Sequence, residues 1–166
     1  MHLQYKQFHG NAHISPFVLF IPKRWNLTLA RKAQKFADTC ACEHSNPADR
    51  MLRGYNLGEN IVMSPTPMTW GDVCTMWINE SSRFKYGHGA MEKGDVVGHY
   101  RQIANAKTSS VGCGSASCNK SPCNHFYVCQ YFPAGNEETH WKRPYDAGEP
   151  CSGCRGHCDD GLCTNF

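Results

Sequence analysis

No stretch of this chain approaches the ~18 consecutive apolar residues that a bilayer-spanning helix needs. The strongest apolar run, Phe17 to Ile21, is short and ends in Pro22-Lys23-Arg24. The parts of a secretory leader, a basic start followed by an apolar core of ~7 to 15 residues and a small-residue cleavage site, are also missing from the N-terminus. Seventeen Lys and Arg stand against fourteen Asp and Glu and nowhere form a run of five, so the net charge of +3 is spread thinly and a nucleic-acid partner is disfavoured. There is no His-Glu-x-x-His helix. Only Cys151-x-x-Cys154 has the spacing of half a zinc finger, and no histidine pair follows it.

Cysteine, by contrast, is abundant: eleven in 166 residues. With zinc-finger spacing missing, disulfides in an oxidising compartment are the expected use, and the leader that secretion needs is expected to lie outside this chain. The length suits one domain with a true core and a small appendage, not two domains.

Along the chain, residues 1–24 show no sustained period. Leu29, Ala33, Phe36, Ala37 and Cys40 then recur at helical spacing with Arg31, Lys32, Gln34 and Lys35 opposite, which predicts an amphipathic helix ending near Cys40. A loop with His44 and Asn46-Pro47 follows. Ser64-Pro65-Thr66-Pro67 breaks the chain before a second helix, whose stripe is Val73, Met76, Trp77, Glu80 and Phe84. An acid on such a stripe is uncommon, because a buried carboxylate without partners costs several kcal/mol. Gly87, Gly89 and Gly94 belong to a loop, and His99 to Ala106 reads as a short helix. Val111 to Ser115 and Phe126 to Phe132 read as strands, the second apolar on both faces and so central. The segment 137–150 is polar and reads as a linker before four cysteines crowded into 151–163. Three Asn-x-Ser/Thr triplets begin at Asn26, Asn79 and Asn119; the one at Asn79 falls inside the second helix and is discounted.

Nine histidines make any single one weak evidence of a site. The neighbours carry more: Gly98-His99-Tyr100-Arg101-Gln102-Ile103, then Phe126 through Cys129-Gln130-Tyr131-Phe132-Pro133-Ala134-Gly135-Asn136, with Cys42-Glu43-His44-Ser45 and Gly58-Glu59-Asn60-Ile61 upstream. Together these resemble the signatures of the CAP superfamily, and the tail Cys151 to Cys163 resembles its cysteine-rich secretory (CRISP) branch. The resemblance runs from Trp25 to Asn165. It implies an α+β fold, a three-layer α/β/α sandwich with a mainly antiparallel central sheet, and a division into an atypical N-terminal segment 1–24, a CAP domain 25–136, a linker 137–150 and a disulfide-knotted hinge 151–166.

The resemblance further implies disulfides Cys40–Cys118 and Cys113–Cys129, with Cys151–Cys158 and Cys154–Cys163 in the hinge. A further family bridge has Leu57 and Phe132 at its two positions here. Cys42, Cys74 and Cys123 are left without a family partner, so at least one of them is expected to be free or to form an intermolecular disulfide. Asn105 stands where the family usually has a large aromatic, and the family's first helix and C-terminal cysteine-rich module are not found in the chain. His44, His99, Glu59 and Glu80 are implied to surround one cleft. Imidazole nitrogen beside carboxylate oxygen suits Zn2+ or another divalent cation, with His44 and His99 as metal ligands and Glu59 and Glu80 as cleft carboxylates. The function implied is a secreted, non-enzymatic binding or modulating module for an extracellular protein, channel or lipid. The alternatives are a hydrolase using a metal-bound water with a glutamate base, or a truncated product without function.

Overall fold

The computed structural model describes residues 23–119, 122–136, 141–148, 152, 156–159 and 162–163. Strand β1, Arg24–Trp25, leads into helix α1, Leu27–Ala37. Asn26 starts the helix by accepting the Thr28 and Leu29 amides on its side chain. Leu29, Ala33 and Ala37 are fully buried, as the helical stripe predicts. The helix stops before Cys40, which takes a left-handed backbone (φ 50°) and turns the chain toward its disulfide partner.

A hairpin of β2, Met51–Leu52, and β3, Tyr55–Asn56, precedes the seven-residue strand β4, Gly58–Ser64. Helix α2, Trp70–Asn79, opens with a reciprocal capping box between Thr69 and Asp72. Its end departs from the expected stripe. Glu80–Arg83 form a tight 3-10 turn and Phe84 lies in β5, Phe84–Lys85, which pairs with β6, Gly89–Ala90, inside the segment read as a glycine loop. Glu80 and Phe84 keep their inward direction because a 3-10 turn continues the winding, only tighter.

Helix α3, Gly98–Ala104, ends at Asn105, whose extended backbone turns the chain toward β7, Ser110–Ser117. Strand β8, His125–Phe132, completes the central sheet in the order β1-β7-β8-β4. Every pairing in it is antiparallel except that of β1 with β7. In the hinge, β9, Cys158–Asp159, pairs antiparallel with β10, Leu162–Cys163.

Alternation along β4 and β8 divides the core into two layers. Ile61, Phe126 and Val128 face α1 with Ala33 and Ala37. Val62, Tyr127, Cys129 and Tyr131 face Val73 and Trp77 of α2 and Ile103 of α3. The result is a helix–sheet–helix sandwich with β8 buried on both faces. Helix α1 lies so close to β7 that a Cβ on Gly112 or Gly114 would meet the backbone of Ala30 or Gln34. The Gln34 side chain uses that approach, accepting from Ser115 N (3.2 Å) and donating to Ser115 O (2.8 Å).

Disulfides join Cys40 to Cys118 and Cys113 to Cys129. A third joins two of the cysteines left without a family partner: Cys42 bonds Cys123 within the chain, so neither is available for an intermolecular bridge. Cys74 is the one free cysteine among the described residues, and burial pushes its thiol pKa up, away from the reactive thiolate. The implied hinge bridges of Cys151, Cys154, Cys158 and Cys163 lie outside what is described of those side chains.

Leu57 is buried, and the register that sets Gly58 opposite Tyr131 brings it level with Phe132, against which the Tyr55 ring packs edge-on. Asn105 occupies its buried position as a polar knot. Its amide donates to Gly135 O (3.1 Å) and its oxygen accepts from Lys107 N (2.9 Å), while its carbonyl accepts from Lys23 Nζ (3.0 Å). Residues 141–148, inside the segment read as a linker, pack on the domain. Tyr145 is buried in a cluster with Phe84, Val97, Tyr100 and Ala104.

Candidate functional site

The four polar residues singled out in the sequence come from four segments, and the fold joins them in two pairs. His44, in the loop after α1, places Nδ1 2.9 Å from Glu59 Oε1 near the start of β4. His99, at the start of α3, places Nδ1 2.6 Å from Glu80 Oε1 just past the end of α2. His44 and Glu59 line a cavity of about 480 Å3, and Glu80 and His99 line one of about 290 Å3. Strand β4 and helix α3 border both: Glu59 and Gln102 in the larger, Ile61, Val62 and His99 in the smaller. Asn60, on the strand between them, donates to His99 O (3.1 Å).

Glu59 has no exposed side-chain surface. Burial alone would raise its pKa, but hydrogen bonds from His44 and from the side chain and amide of Ser45, with the nearby Arg50 charge, outweigh it and hold the carboxyl down at about 2. Ser45 donates through N (2.9 Å) and Oγ (2.7 Å), Arg50 through Nη1 (3.0 Å) and Gln130 through Nε2 (3.3 Å). Glu59 is therefore an anion with every oxygen occupied.

Glu80 solves a different problem. The first turn of α3 has amides with no intrahelical partner, and Val97 before it offers no side-chain cap. Glu80 Oε2 accepts both His99 N and Tyr100 N at 3.0 Å, which leaves Oε1 for the imidazole. An acid on an apolar stripe is thus accounted for by the helix it caps from outside. The Trp77 ring stacks on His99 at 6.0 Å and fixes the plane of the imidazole.

With a carboxylate accepting at Nδ1, each neutral imidazole carries its proton there and keeps its lone pair on Nε2. That is the arrangement metal-binding histidines commonly show, the carboxylate orienting the ring from behind. Side chains of His44 and His99 are 53 % and 25 % exposed, so both rings are reachable. Among the described residues no group of three or more His, Cys, Asp or Glu is placed to hold a metal ion. The donor chemistry fits an open site of imidazole nitrogen and water, not a closed protein cage.

Sequence reasoning missed Ser45, Arg50, Gln130 and Asn60. Ser45 and Asn60 adjoin residues already singled out, whereas Gln130 is brought to Glu59 by the register of β4 with β8, and Arg50 by the β2–β3 hairpin that returns the chain beside it.

A three-layer sandwich stapled by disulfides, with paired histidines and glutamates beside the edge strand of its sheet, defines a class of cross-linked domains suited to oxidising surroundings. The model of the cysteine-rich secretory protein family, CAP, matches residues 22–131. Cysteine-rich secretory protein 2 of Cavia porcellus and cysteine-rich secretory protein 3 of Homo sapiens are each 44% identical over 142 residues, 85% of this chain and 58% of theirs. This chain belongs to the CAP family and to its cysteine-rich secretory branch, and it spans somewhat under three-fifths of the length of those relatives. Among solved structures, Na-ASP-1 superposes with a TM-score of 0.71 at 28% identity, covering 89% of this chain and 39% of that one. NaASP2, solved with Zn2+, superposes with a TM-score of 0.69 at 32% identity, covering 89% and 78%. No helix among the described residues is long and apolar enough to cross a membrane.

Proposed function

We propose that this chain is a secreted, non-enzymatic binding module that acts on an extracellular protein, channel or lipid, with a divalent-cation site at its histidines. The observation that carries the reading is the state of Glu59. A general base works best with a pKa near the working pH, whereas this carboxyl sits at about 2 with both oxygens engaged. Glu80 is likewise committed, to two helix amides and an imidazole. Ser45, the hydroxyl beside His44, donates to Glu59 and makes no bond to the imidazole. The arrangement orients rings and braces loops, and it leaves neither carboxylate free to activate water.

His44 and His99 would hold a divalent cation through Nε2, with Glu59 and Glu80 fixing the rings and water completing the coordination. A bound cation of this kind supplies Lewis acidity or bridges to a partner's oxygen or nitrogen donor. That NaASP2 was solved with Zn2+ agrees with this reading. Two measurements on the refolded, oxidised protein test it. Calorimetry with Zn2+ is expected to show binding that disappears in His99→Ala, and no heat from the intact protein would end the metal claim. A panel of peptide and ester substrates with Zn2+ present is expected to remain uncleaved. Chelator-sensitive turnover that fails in Glu59→Gln would replace this reading with the hydrolase.

A further inference from the structure

We infer that Asn26 is an N-glycosylation site, and that of the three Asn-x-Ser/Thr triplets its own is the one the folded domain is built to carry. The inference rests on the secretory route of the proposed function, since the modification takes place only there.

Asn26 belongs to Asn26-Leu27-Thr28 at the start of α1. Its Oδ1 accepts from Thr28 N at 2.9 Å and Leu29 N at 3.2 Å. With the oxygen turned inward to the helix amides, Nδ2 is turned away from them, and among the described residues it has no hydrogen-bond partner. A glycosylated asparagine keeps its Oδ1 as an acceptor, so the sugar and the helix cap use opposite ends of one amide. The flanking residues point the same way. Trp25 is 47% and Leu27 64% exposed, and Thr28 is exposed as well. An indole left in water beside the attachment point offers the apolar face on which a pyranose ring packs its C–H groups. Thr28 is β-branched and stiff at χ1, which holds its hydroxyl in few positions relative to the amide two residues before it.

The other two triplets lack this combination. Asn79 is the last residue of α2, and the two residues after it open the 3-10 turn in which Glu80 is buried on His99 and Tyr100. Asn119-Lys120-Ser121 is followed directly by Pro122, which restricts the hydroxyl residue to extended conformations and opposes the turn that brings it back to the asparagine.

In the reaction a polyprenyl-pyrophosphate-linked oligosaccharide is the donor. The bond from its terminal sugar C1 to the pyrophosphate oxygen breaks, a bond from Asn26 Nδ2 to C1 forms, one Nδ2 proton is lost to the transferase, and the polyprenyl pyrophosphate leaves. No electrons are exchanged.

The test is expression of the full chain behind a secretory leader in glycosylating cells, with the secreted protein mapped by peptide mass spectrometry. Enzymatic removal of the sugar in heavy-oxygen water then labels each formerly modified asparagine as aspartate. The expected result is label at Asn26, its complete loss in Thr28→Ala, and its retention in Thr28→Ser. Thr28→Ala leaves the Asn26 cap in place, so secretion and disulfide content are expected to match the wild type. Secreted, disulfide-bonded protein without label at Asn26 overturns this inference and leaves the proposed function standing. Protein retained in the cell with reduced cysteines overturns both.

Discussion

At the scale of the residue, Glu59 decides how the site behaves with pH. Its carboxyl titrates near 4.5 when free and at about 2 in the fold, so the folded state binds the proton later than the unfolded one. The stabilisation it contributes is complete above about pH 4.5 and is lost as pH falls from there through about 2. Glu59→Gln removes that dependence and replaces an anion that suits several donors with an amide that opposes some of them. A loss of about 3 kcal/mol at pH 7 is expected, from urea unfolding, with a flatter stability profile between pH 5 and pH 2 than the wild type. Equal slopes in the two proteins over that interval would refute the assignment. The residue scale was also where the sequence was most legible. His44, Glu59, Glu80 and His99 could be singled out from motif and stripe, because polar groups stand out against apolar spacing. Their division into two pairs could not, because it depends on β4 being an edge strand with neighbours on both faces.

At the scale of the element, α1 was readable because its apolar stripe is uninterrupted. The end of α2 was not, since Glu80 and Phe84 hold helical spacing through a 3-10 turn into a strand. β1 and the short antiparallel pairs β2–β3, β5–β6 and β9–β10, at two residues per strand, fall below the length at which any period can be seen. The contact that positions α1 was hidden for another reason: glycines at 112 and 114 read as weak strand formers, and their purpose is visible only with the helix laid across them. Gly114→Ala should push α1 off β7 and break the Gln34 clasp on Ser115. A loss of roughly 2 kcal/mol or more is expected from chemical denaturation, with a changed near-ultraviolet dichroism. Wild-type stability in that variant would show that the close approach is dispensable.

For the whole molecule, disulfides tie the two ends of the β7–β8 loop to the segment after α1. Cys40–Cys118 and Cys42–Cys123 lie two residues apart at one end and five at the other, so they act as a double staple across loops of 78 and 81 residues. Spacing left the second of these invisible, because any pairing of the leftover cysteines was equally compatible with it. Replacing Cys42 and Cys123 together by serine should cost roughly 4 kcal/mol of unfolding free energy while leaving the sandwich intact. Mass mapping of the native protein should recover a peptide linking Cys42 to Cys123. The staple and the polar knot at Asn105 also argue against a non-folding fragment, and a single cooperative unfolding transition is the expected behaviour.

The central claim is that two buried carboxylates hold two imidazoles by Nδ1 and leave both Nε2 atoms open. Long-range proton–nitrogen correlation spectra of the oxidised protein at neutral pH read this directly. The expected spectrum has Nδ1 protonated and Nε2 bare in both His44 and His99, with the Nε2 signals shifting when Zn2+ is added. Protons on Nε2 in both rings, unmoved by the ion, would contradict it.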